Sequence, residues 1–184
     1  MKIDINSYKP SRQQKLQLQL LINLLKKANK KGVVVFVDGG YGLDALYGKL
    51  TRDHRDFDLF IHNYDKEKFT AILNKNGFYP TGKLIGKVSK EEFINTEFSR
   101  DFTIELGIFE EGLKFAQGLD LSKLIPSSPI GSLLNFKILT PTLEGFRKLI
   151  YINNQLAIKN EFPEYPHKDW METILSSLSK KFSF

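Results

Sequence analysis

The chain of 184 residues contains no cysteine. Without thiols it has no disulfide bonds, no thiolate metal site and no cysteine nucleophile, and it suits a reducing compartment. Long apolar runs are missing as well, since none approaches the ~20 residues that a membrane-spanning helix requires. The polar N-terminus also lacks the apolar core of a signal peptide. These absences predict a cytoplasmic protein that has no membrane partner.

Acidic residues are fewer than basic ones: 21 Asp and Glu stand against 27 Lys and Arg, for a formal net charge of +6. A basic balance suits the binding of a polyphosphate or another anion, and it leaves nucleic acid open as a partner. With 41% hydrophobic residues and 15 phenylalanines, the chain can form a substantial core. The length predicts either one domain or a catalytic core, residues 1–125, with a mainly helical C-terminal part, residues 126–184, packed on it.

The stretch between residues 33 and 60 is the most informative part of the sequence. An apolar, β-branched run over Val33–Val37 predicts a strand, which Gly39 and Gly40 then interrupt. Glycine reaches backbone conformations that other residues avoid, and it lets a ligand come close to the main chain. Residues 41–47 have helical spacing, and the free amides at the start of a helix bind anions. The pattern therefore predicts a phosphate-binding turn.

Two carboxylates follow this turn. Asp56 and Asp58 are two residues apart on a predicted strand, so both side chains lie on one face, while Phe57 and Leu59 point into the core. Like charges side by side repel unless a cation lies between them. Oxygen ligands suit Mg²⁺, which commonly binds one or two carboxylates together with substrate phosphates. A phosphate-holding turn beside a metal-holding strand indicates nucleotide chemistry.

The same stretch resembles the signature of the nucleotidyltransferase superfamily whose catalytic domain is of the DNA polymerase β type, Gly-Gly or Gly-Ser followed by Asp-x-Asp. It is most similar to the small antibiotic nucleotidyltransferases, the lincosamide enzymes and their aminoglycoside-modifying relatives. Their stretch runs Asp-Gly-Gly-Trp-Gly-x-Asp, then Gly-Lys, then Arg-x-His-x-Asp-Ile-Asp. The matching residues here are Asp38 to Asp44, Gly48-Lys49 and Arg52 to Asp58. Tyr41 replaces the usual Trp and Phe57 the usual Ile, and both keep the character of the side chain.

The resemblance implies an α/β (α+β) fold of the polymerase β-like nucleotidyltransferase type, with a mixed, mostly antiparallel sheet backed by helices and a helical C-terminal part. It also implies a Mg²⁺-dependent reaction: a nucleoside monophosphate passes from a nucleoside triphosphate, with ATP as the expected nucleotide, to a hydroxyl of a small molecule. A lincosamide- or aminoglycoside-like antibiotic is the expected acceptor, and the sparse acidic clusters favour an acceptor less charged than an aminoglycoside or a metabolite that is not an antibiotic. A homodimer that shares its active site between subunits is compatible with the resemblance.

The catalytic residues that the resemblance implies are three carboxylates. Asp56 and Asp58 would hold one or two Mg²⁺ ions. The third, Glu105, is the one acid on an otherwise apolar strand, in a hairpin predicted over residues 91–98 and 102–109. It would act as a metal ligand or as the general base that takes the proton from the attacking hydroxyl. The alternative for Glu105 is a solvent-facing position on an edge strand.

The candidates for nucleotide binding are Gly39, Gly40, Asp44, Arg52 and Lys148. The amides of Gly39 and Gly40 would hold the β- and γ-phosphates. Arg52 would contact the phosphates or, alternatively, form an ion pair that holds the aspartate loop. Asp44 has a structural alternative in the first turn of its helix, where the dipole favours an anion, or in a pair with an arginine. Lys148, in a late predicted helix, resembles a basic residue that reaches the triphosphate in the family, and its alternative is a surface lysine.

Three further residues of the stretch have structural interpretations. Asp38 is predicted to cap the helix that follows the glycines. His54 is predicted to be a hydrogen-bonding scaffold residue, because one histidine beside hard carboxylates does not suit Mg²⁺. Tyr41 is predicted to pack in the core or in the wall of the pocket.

Two other functions compete with the small-molecule transferase. The first is a nucleotidyltransferase that modifies a protein or extends an RNA. The net positive charge favours RNA, but no aromatic stacking platform is interleaved with the basic clusters. The second is a non-catalytic nucleotide-binding or toxin–antitoxin-type module on the same fold. Loss of the carboxylates would mark that case, whereas Asp56 and Asp58 are both present.

Overall fold

The computed structural model of the protein describes most of the chain. The described residues are 7–85, 90–95, 97, 102–110, 112, 114, 126–149 and 173–179. The turn of the predicted hairpin and the part of the late helix beyond residue 149 lie outside the described residues. No helix within these ranges has the length and apolar character that crossing a bilayer requires.

Helices and strands are mixed along the chain. In order they are α1 (Arg12–Lys30), β1 (Phe36–Val37), α2 (Gly39–Tyr47), β2 (Asp56–His62), a 3-10 turn (Asn63–Asp65), α3 (Lys66–Asn74), β3 (Phe78–Ile85), β4 (Lys90–Asn95), β5 (Thr103–Phe109), β6 (Gly131–Leu133) and β7 (Phe136–Ile138). Residues 143–149 and 173–179 are helical as well. The predicted class, with both helices and strands, is confirmed.

A five-stranded sheet forms the centre of the fold, in the order β1-β2-β5-β4-β3. β2 and β5 are parallel, and the other neighbouring strands are antiparallel. The strands β6 and β7 form a separate two-stranded sheet. The mixed, mostly antiparallel sheet expected from the sequence is confirmed. Its parallel pair brings the strand of Asp58 beside the strand of Glu105.

The helix α1 packs on the core side of this sheet. It begins after Ser11, whose hydroxyl accepts a hydrogen bond from the amide of Gln14 at 3.1 Å, as N-cap serines commonly do. Its buried apolar side chains share one cluster with the β2 residues Phe57 and Leu59. Those helix residues are Leu18, Leu21, Ile22, Leu24 and Leu25. Each fully buried leucine stabilises the fold by roughly 2 kcal/mol. The packing of α1 therefore fixes the position of β2 in the core.

The strand that leads into the glycine turn is shorter than the sequence predicts. Of the run Val33–Val37, only Phe36–Val37 pairs with β2. The amide of Val33 instead donates a hydrogen bond to the carbonyl of Ala28 at 3.0 Å, so the run begins as the exit from α1. The predicted hairpin is present as the antiparallel pair β4–β5. The end of β1 at Val37 and the start of α2 at Gly39 agree with the predicted position of the glycine turn.

Segments after residue 125 pack on the first part of the chain. Leu133 and Ile138 of the small sheet belong to the main apolar cluster. A second cluster joins Leu43 and Leu46 of α2 to side chains of the late helical segments, namely Phe146, Ile174, Leu175 and Leu178. The helix α2 is thus packed on two sides, which positions its N-terminus. The division of the chain into residues 1–125 and 126–184 stays a prediction.

Candidate active site

Three carboxylates lie together on one face of the sheet. Along β2, Phe57 and Leu59 are fully buried while Asp56 and Asp58 are partly exposed, so the two aspartates share the opposite face, as the alternation predicts. Glu105 of β5 lies directly beside Asp58 in the parallel register. The structure therefore brings the three expected catalytic carboxylates together, and their catalytic roles stay a prediction.

A lysine ammonium lies among these carboxylates. The Nζ atom of Lys90, the first residue of β4, donates a hydrogen bond to Oδ1 of Asp58 and lies 3.4 Å from Oε2 of Glu105. The ring centroid of Phe60 lies 5.1 Å from the same ammonium. Reasoning from the sequence missed Lys90. Alternation along β4 places it on the face of Glu92, but only the register with β5 shows that this face is also that of Glu105.

Gly39 and Gly40 begin helix α2 next to the carboxylates. A Cβ atom on Gly39, whose φ is +59°, would lie 1.9 Å from Oδ2 of Asp58, and a Cβ atom on Gly40 would lie 2.3 Å from Nδ1 of His54. The sequence predicts that these glycines leave room for a ligand, but in the structure the side chains of Asp58 and His54 take that room. The glycines thus let two side chains approach the start of α2. Phosphate binding by their amides stays a prediction.

Burial and mutual repulsion shift the carboxylates toward protonation. Burial, followed by the charges of Asp58 and Glu105, raises the pKa of Asp56 to about 7. Burial and the charge of Asp58 raise the pKa of Asp38 to about 6 and also raise the pKa of Glu105, while Lys90 lowers both. For Lys90 itself, burial opposes the charged form, but the surrounding carboxylates outweigh it and raise the pKa. The site therefore carries more negative charge than one lysine neutralises.

Asp38 belongs to this acidic group rather than to a helix cap. It occupies the N-cap position of α2, but its side chain makes no capping hydrogen bond. Its amide instead donates to the carbonyl of Asp58 at 2.9 Å, and the charges of Asp58 and Lys90 act on its carboxyl group. Asp38 thus does not make the predicted capping hydrogen bond, although the amide of Gly39, the first residue of α2, bonds with its carboxyl group. Asp38 is a fourth acid of the site.

The raised pKa of Asp56 predicts a pH dependence of stability in the metal-free protein. Its pKa rises from the ordinary value of 3.8 to about 7 on folding. Between these values the folded state keeps a proton that the unfolded state has released, so the free energy of unfolding falls as the pH rises. We expect a loss on the order of 2 kcal/mol, measured by urea unfolding with a chelator from about pH 4.5 to 7.5. The variant Asp56→Asn should lose the part of this slope that Asp56 contributes, while Asp38 and Glu105, whose pKa values are also raised, keep the rest. An unchanged slope would contradict the assignment.

A buried network holds the loop that precedes β2. The carboxylate of Asp44, fully buried, accepts hydrogen bonds from the amide of Thr51 at 3.1 Å and from its hydroxyl, and it lies 2.6 Å from Nε2 of His54. Gln14 donates to the carbonyl of His54 at 2.7 Å, and the ring of Tyr41 packs on the imidazole with centroids 4.4 Å apart. Because its carboxylate is buried and bonded, Asp44 serves the loop, and the nucleotide contact expected from the sequence is not supported. The scaffold interpretation of His54 agrees with this geometry.

Replacing Asp44 with alanine should therefore destabilise the protein. The change leaves Thr51 and His54 buried without their shared acceptor, and we expect a cost of about 2–4 kcal/mol. Urea unfolding of the variant measures it. Glu67→Ala, which removes an acid from the first turn of α3, is the control and should cost no more than about 1 kcal/mol. An equal cost for the two variants would show that the network contributes little.

The two cationic candidates have different surroundings. A Cβ atom on Gly40 would lie 3.1 Å from Nη2 of Arg52, so this guanidinium adjoins the start of α2, and its charge lowers the pKa of Asp56. Lys148 is exposed in the helical segment 143–149. Among the described residues, Lys90 forms ion pairs with Asp58 and Glu105, whereas Lys148 forms none with the carboxylates of the site. The structure thus brings Arg52, but not Lys148, into the electrostatic field of the carboxylates.

The donors of the site fit a divalent cation in kind. Asp56, Asp58 and Glu105 offer carboxylate oxygens, which Mg²⁺ prefers. Burial is the main cause of the raised pKa values of Asp56 and Glu105, and the charge of Asp58 adds to it. Within the described part of the chain, however, no three Asp, Glu or His side chains converge as a ready ligand set. The ammonium of Lys90 lies between Asp58 and Glu105 instead. The site is therefore an acidic cluster in which Lys90 forms ion pairs with two of the carboxylates.

Comparison with known proteins identifies the class of this protein. A model of the family described as aminoglycoside-2''-adenylyltransferase matches residues 20–112, half of the chain, and this range includes every carboxylate discussed above. The protein is a nucleotidyltransferase, and its fold is that of these enzymes. The chain belongs to the aminoglycoside-2''-adenylyltransferase family. No curated protein matches the chain in sequence.

Solved structures support the same fold. The solution structure of the antibiotic-resistance factor ANT(2'')-Ia is similar with a TM-score of 0.69 at 16% identity, over 92% of this chain and 86% of that one. The lincomycin-bound lincosamide antibiotic adenylyltransferase LnuA gives 0.54 at 18% identity, over 93% and 99%. An antigenic nucleotidyltransferase-like protein from Paracoccidioides brasiliensis gives 0.52 at 16% identity, over 89% and 75%. The expected nucleotidyltransferase fold is thereby confirmed.

Proposed function

We propose that the protein transfers a nucleoside monophosphate from ATP to a hydroxyl of an aminoglycoside-type antibiotic in the cytoplasm. The observation that carries the proposal is the position of Asp56, Asp58 and Glu105 on one face of two adjacent parallel strands, next to the N-terminus of α2. In the reaction the acceptor oxygen bonds to the α-phosphorus, the bond from that phosphorus to the bridging oxygen breaks, and pyrophosphate leaves with the electron pair.

The three carboxylates would hold Mg²⁺. When bound, such ions neutralise the phosphates and stabilise the entering and leaving oxygens of the displacement. Asp56 and Asp58 are the proposed ligands. Glu105 is either a further ligand or the base that accepts the acceptor's proton, and its raised pKa suits a group that takes up a proton. Positioning and charge neutralisation supply most of the rate enhancement in this type of reaction.

The start of α2 is the proposed site for the triphosphate. The first amides of a helix have no partner within the helix and favour anions, which assigns the amides of Gly39 and Gly40 to the β- and γ-phosphates. Arg52 adjoins Gly40 and would add a positive charge there. Lys148 stays a candidate for the same task, although it forms no ion pair with the carboxylates among the described residues.

The acceptor is proposed from the family and from the acids beyond the catalytic cluster. Glu92 of β4 lies directly opposite Glu105 of β5 and on the same face, so the acidic row extends away from β2. Glu92 accepts a hydrogen bond from Thr81 at 2.9 Å and forms an ion pair with the exposed Lys83 at 3.2 Å. An acidic row beside the reacting centre suits an acceptor with several amines, which favours an aminoglycoside over the less charged acceptor that the sequence suggests.

An assay with parallel acceptors tests the proposal. The protein is incubated with Mg²⁺ and each of the four nucleoside triphosphates, together with tobramycin, lincomycin, tRNA or a protein mixture. Pyrophosphate release and the mass of the product are measured. We expect tobramycin to gain one adenylyl group. Modification of lincomycin instead would keep the proposed reaction and change the proposed acceptor. A mass increase on the tRNA or on a protein would support the macromolecular transferase. No pyrophosphate release with any acceptor would contradict enzymatic transfer.

A further inference from the structure

The ammonium of Lys90 lies between two of the oxygens that a metal ion would use. It donates to Oδ1 of Asp58 and lies 3.4 Å from Oε2 of Glu105. The lysine side chain is only 15% exposed, so it is part of the interior of the site rather than a mobile surface group. On its other side the ring of Phe60 faces the ammonium at 5.1 Å, a contact that favours a cation.

The Lys90 ammonium and a metal ion would compete for the charge of these carboxylates. A divalent ion bound by Asp58 and Glu105 would lie within a few ångströms of the Lys90 ammonium, and like charges at that separation repel strongly inside a protein. Among the described residues, no three acids form a ready ligand set in the observed arrangement. Binding of the metal and the observed position of Lys90 therefore oppose each other.

We propose that Lys90 is an internal counter-ion that holds Asp58 and Glu105 together in the metal-free enzyme and is displaced when a divalent ion binds. It is a positioning residue and not a catalytic one. Its ammonium compensates the repulsion between Asp58, Glu105 and Asp38, and it competes with the metal for the same oxygens. The inference rests on the proposed metal role of these carboxylates, and it adds that the chain itself lowers its affinity for free metal.

Binding of Mn²⁺ to the full chain without nucleotide, followed by electron paramagnetic resonance at about pH 8, tests the proposal. Lys90→Met removes the competing charge, and we expect its dissociation constant for Mn²⁺ to fall about tenfold. Lys90→Arg keeps the charge and should bind Mn²⁺ no more tightly than the wild type. Lys66→Met is the matched control: it removes an ammonium that pairs with Glu91, on the opposite face of β4, and should leave the affinity unchanged.

A second measurement uses the unmodified chain and does not depend on the folding of a variant. Lysine acetylation is followed by mass spectrometry with and without Mn²⁺, and labelling of Lys90 should increase at least about threefold when the metal displaces it, whereas Lys66 should not change. Unchanged labelling of Lys90, together with equal Mn²⁺ affinity in wild type and Lys90→Met, overturns the proposal for Lys90 but leaves the metal role of the carboxylates intact. Absence of Mn²⁺ binding in both proteins overturns it together with the metal role of the carboxylates.

Discussion

Replacing Asp58 with asparagine is expected to lower kcat/KM by about 10³-fold or more, with little change in KM for the acceptor. The Asp58 carboxylate is the centre of the site: it contacts Lys90, adjoins Glu105 and fills the space beside Gly39. An amide of the same shape would keep the packing but lose the charge that a metal ion requires. The measurement is the steady-state rate of pyrophosphate release with the acceptor identified by the parallel assay.

Stability separates this loss of activity from unfolding. Asp58→Asn removes the repulsion from the neighbouring carboxylates but also the ion pair with Lys90, so its free energy of unfolding should stay within about 2 kcal/mol of the wild type when no metal is present. Asp53→Asn is the control, since Asp53 is an exposed acid of the loop that precedes β2, and its side chain bonds with Tyr8. It should retain activity within about twofold. An Asp58→Asn enzyme with more than a tenth of wild-type kcat/KM would contradict the assignment of Asp58.

Gly39→Ala should damage both stability and catalysis. The added methyl group would lie 1.9 Å from Oδ2 of Asp58, and the backbone has a φ of +59°, which an alanine adopts at a cost. Either Asp58 or the start of α2 must shift. We expect a loss of about 2–4 kcal/mol in the free energy of unfolding and about a 100-fold loss of kcat/KM, because a displacement of ~1 Å at the reacting centre has that effect.

The chain offers a close control for the backbone contribution. Gly32 has a φ of +70°, and a Cβ atom there would meet nothing within 4 Å. Gly32→Ala therefore carries the same kind of backbone strain without the collision, and it should cost about 1 kcal/mol and leave activity unchanged. Combining Gly39→Ala with Asp58→Ala removes the collision and should recover part of the lost stability. Equal costs for Gly39→Ala and Gly32→Ala would show that Asp58 does not press on the glycine turn.

The pattern of residues along the chain was sufficient for the catalytic strand. The alternation of Asp56 and Asp58 with buried Phe57 and Leu59 was predicted from the period of a β-strand, and the structure confirms it. The motif around these residues also predicted the nucleotidyltransferase fold. The single acid in an apolar strand was enough to select Glu105, although only the parallel register placed it beside Asp58.

Interactions between distant segments explain what the sequence alone did not predict. Lys90 enters the acidic cluster because β4 pairs with β5 in one register, and a shift by one residue would turn its side chain to the other face. Asp44 is a buried support because Thr51 and His54 fold back onto α2. The room beside Gly39 and Gly40 is filled by side chains from elsewhere in the chain, Asp58 and His54.

The sequence by itself determined the class of the protein, the strand that carries the aspartates and the face on which they lie, because these follow from local periodicity and from a contiguous motif. The tertiary structure alone decided which charges oppose them: a lysine from another strand, a fourth acid at the start of α2 and the burial that raises the pKa of Asp56. Burial and charge pairing depend on strand register and packing between segments far apart in the chain, and no local pattern encodes them.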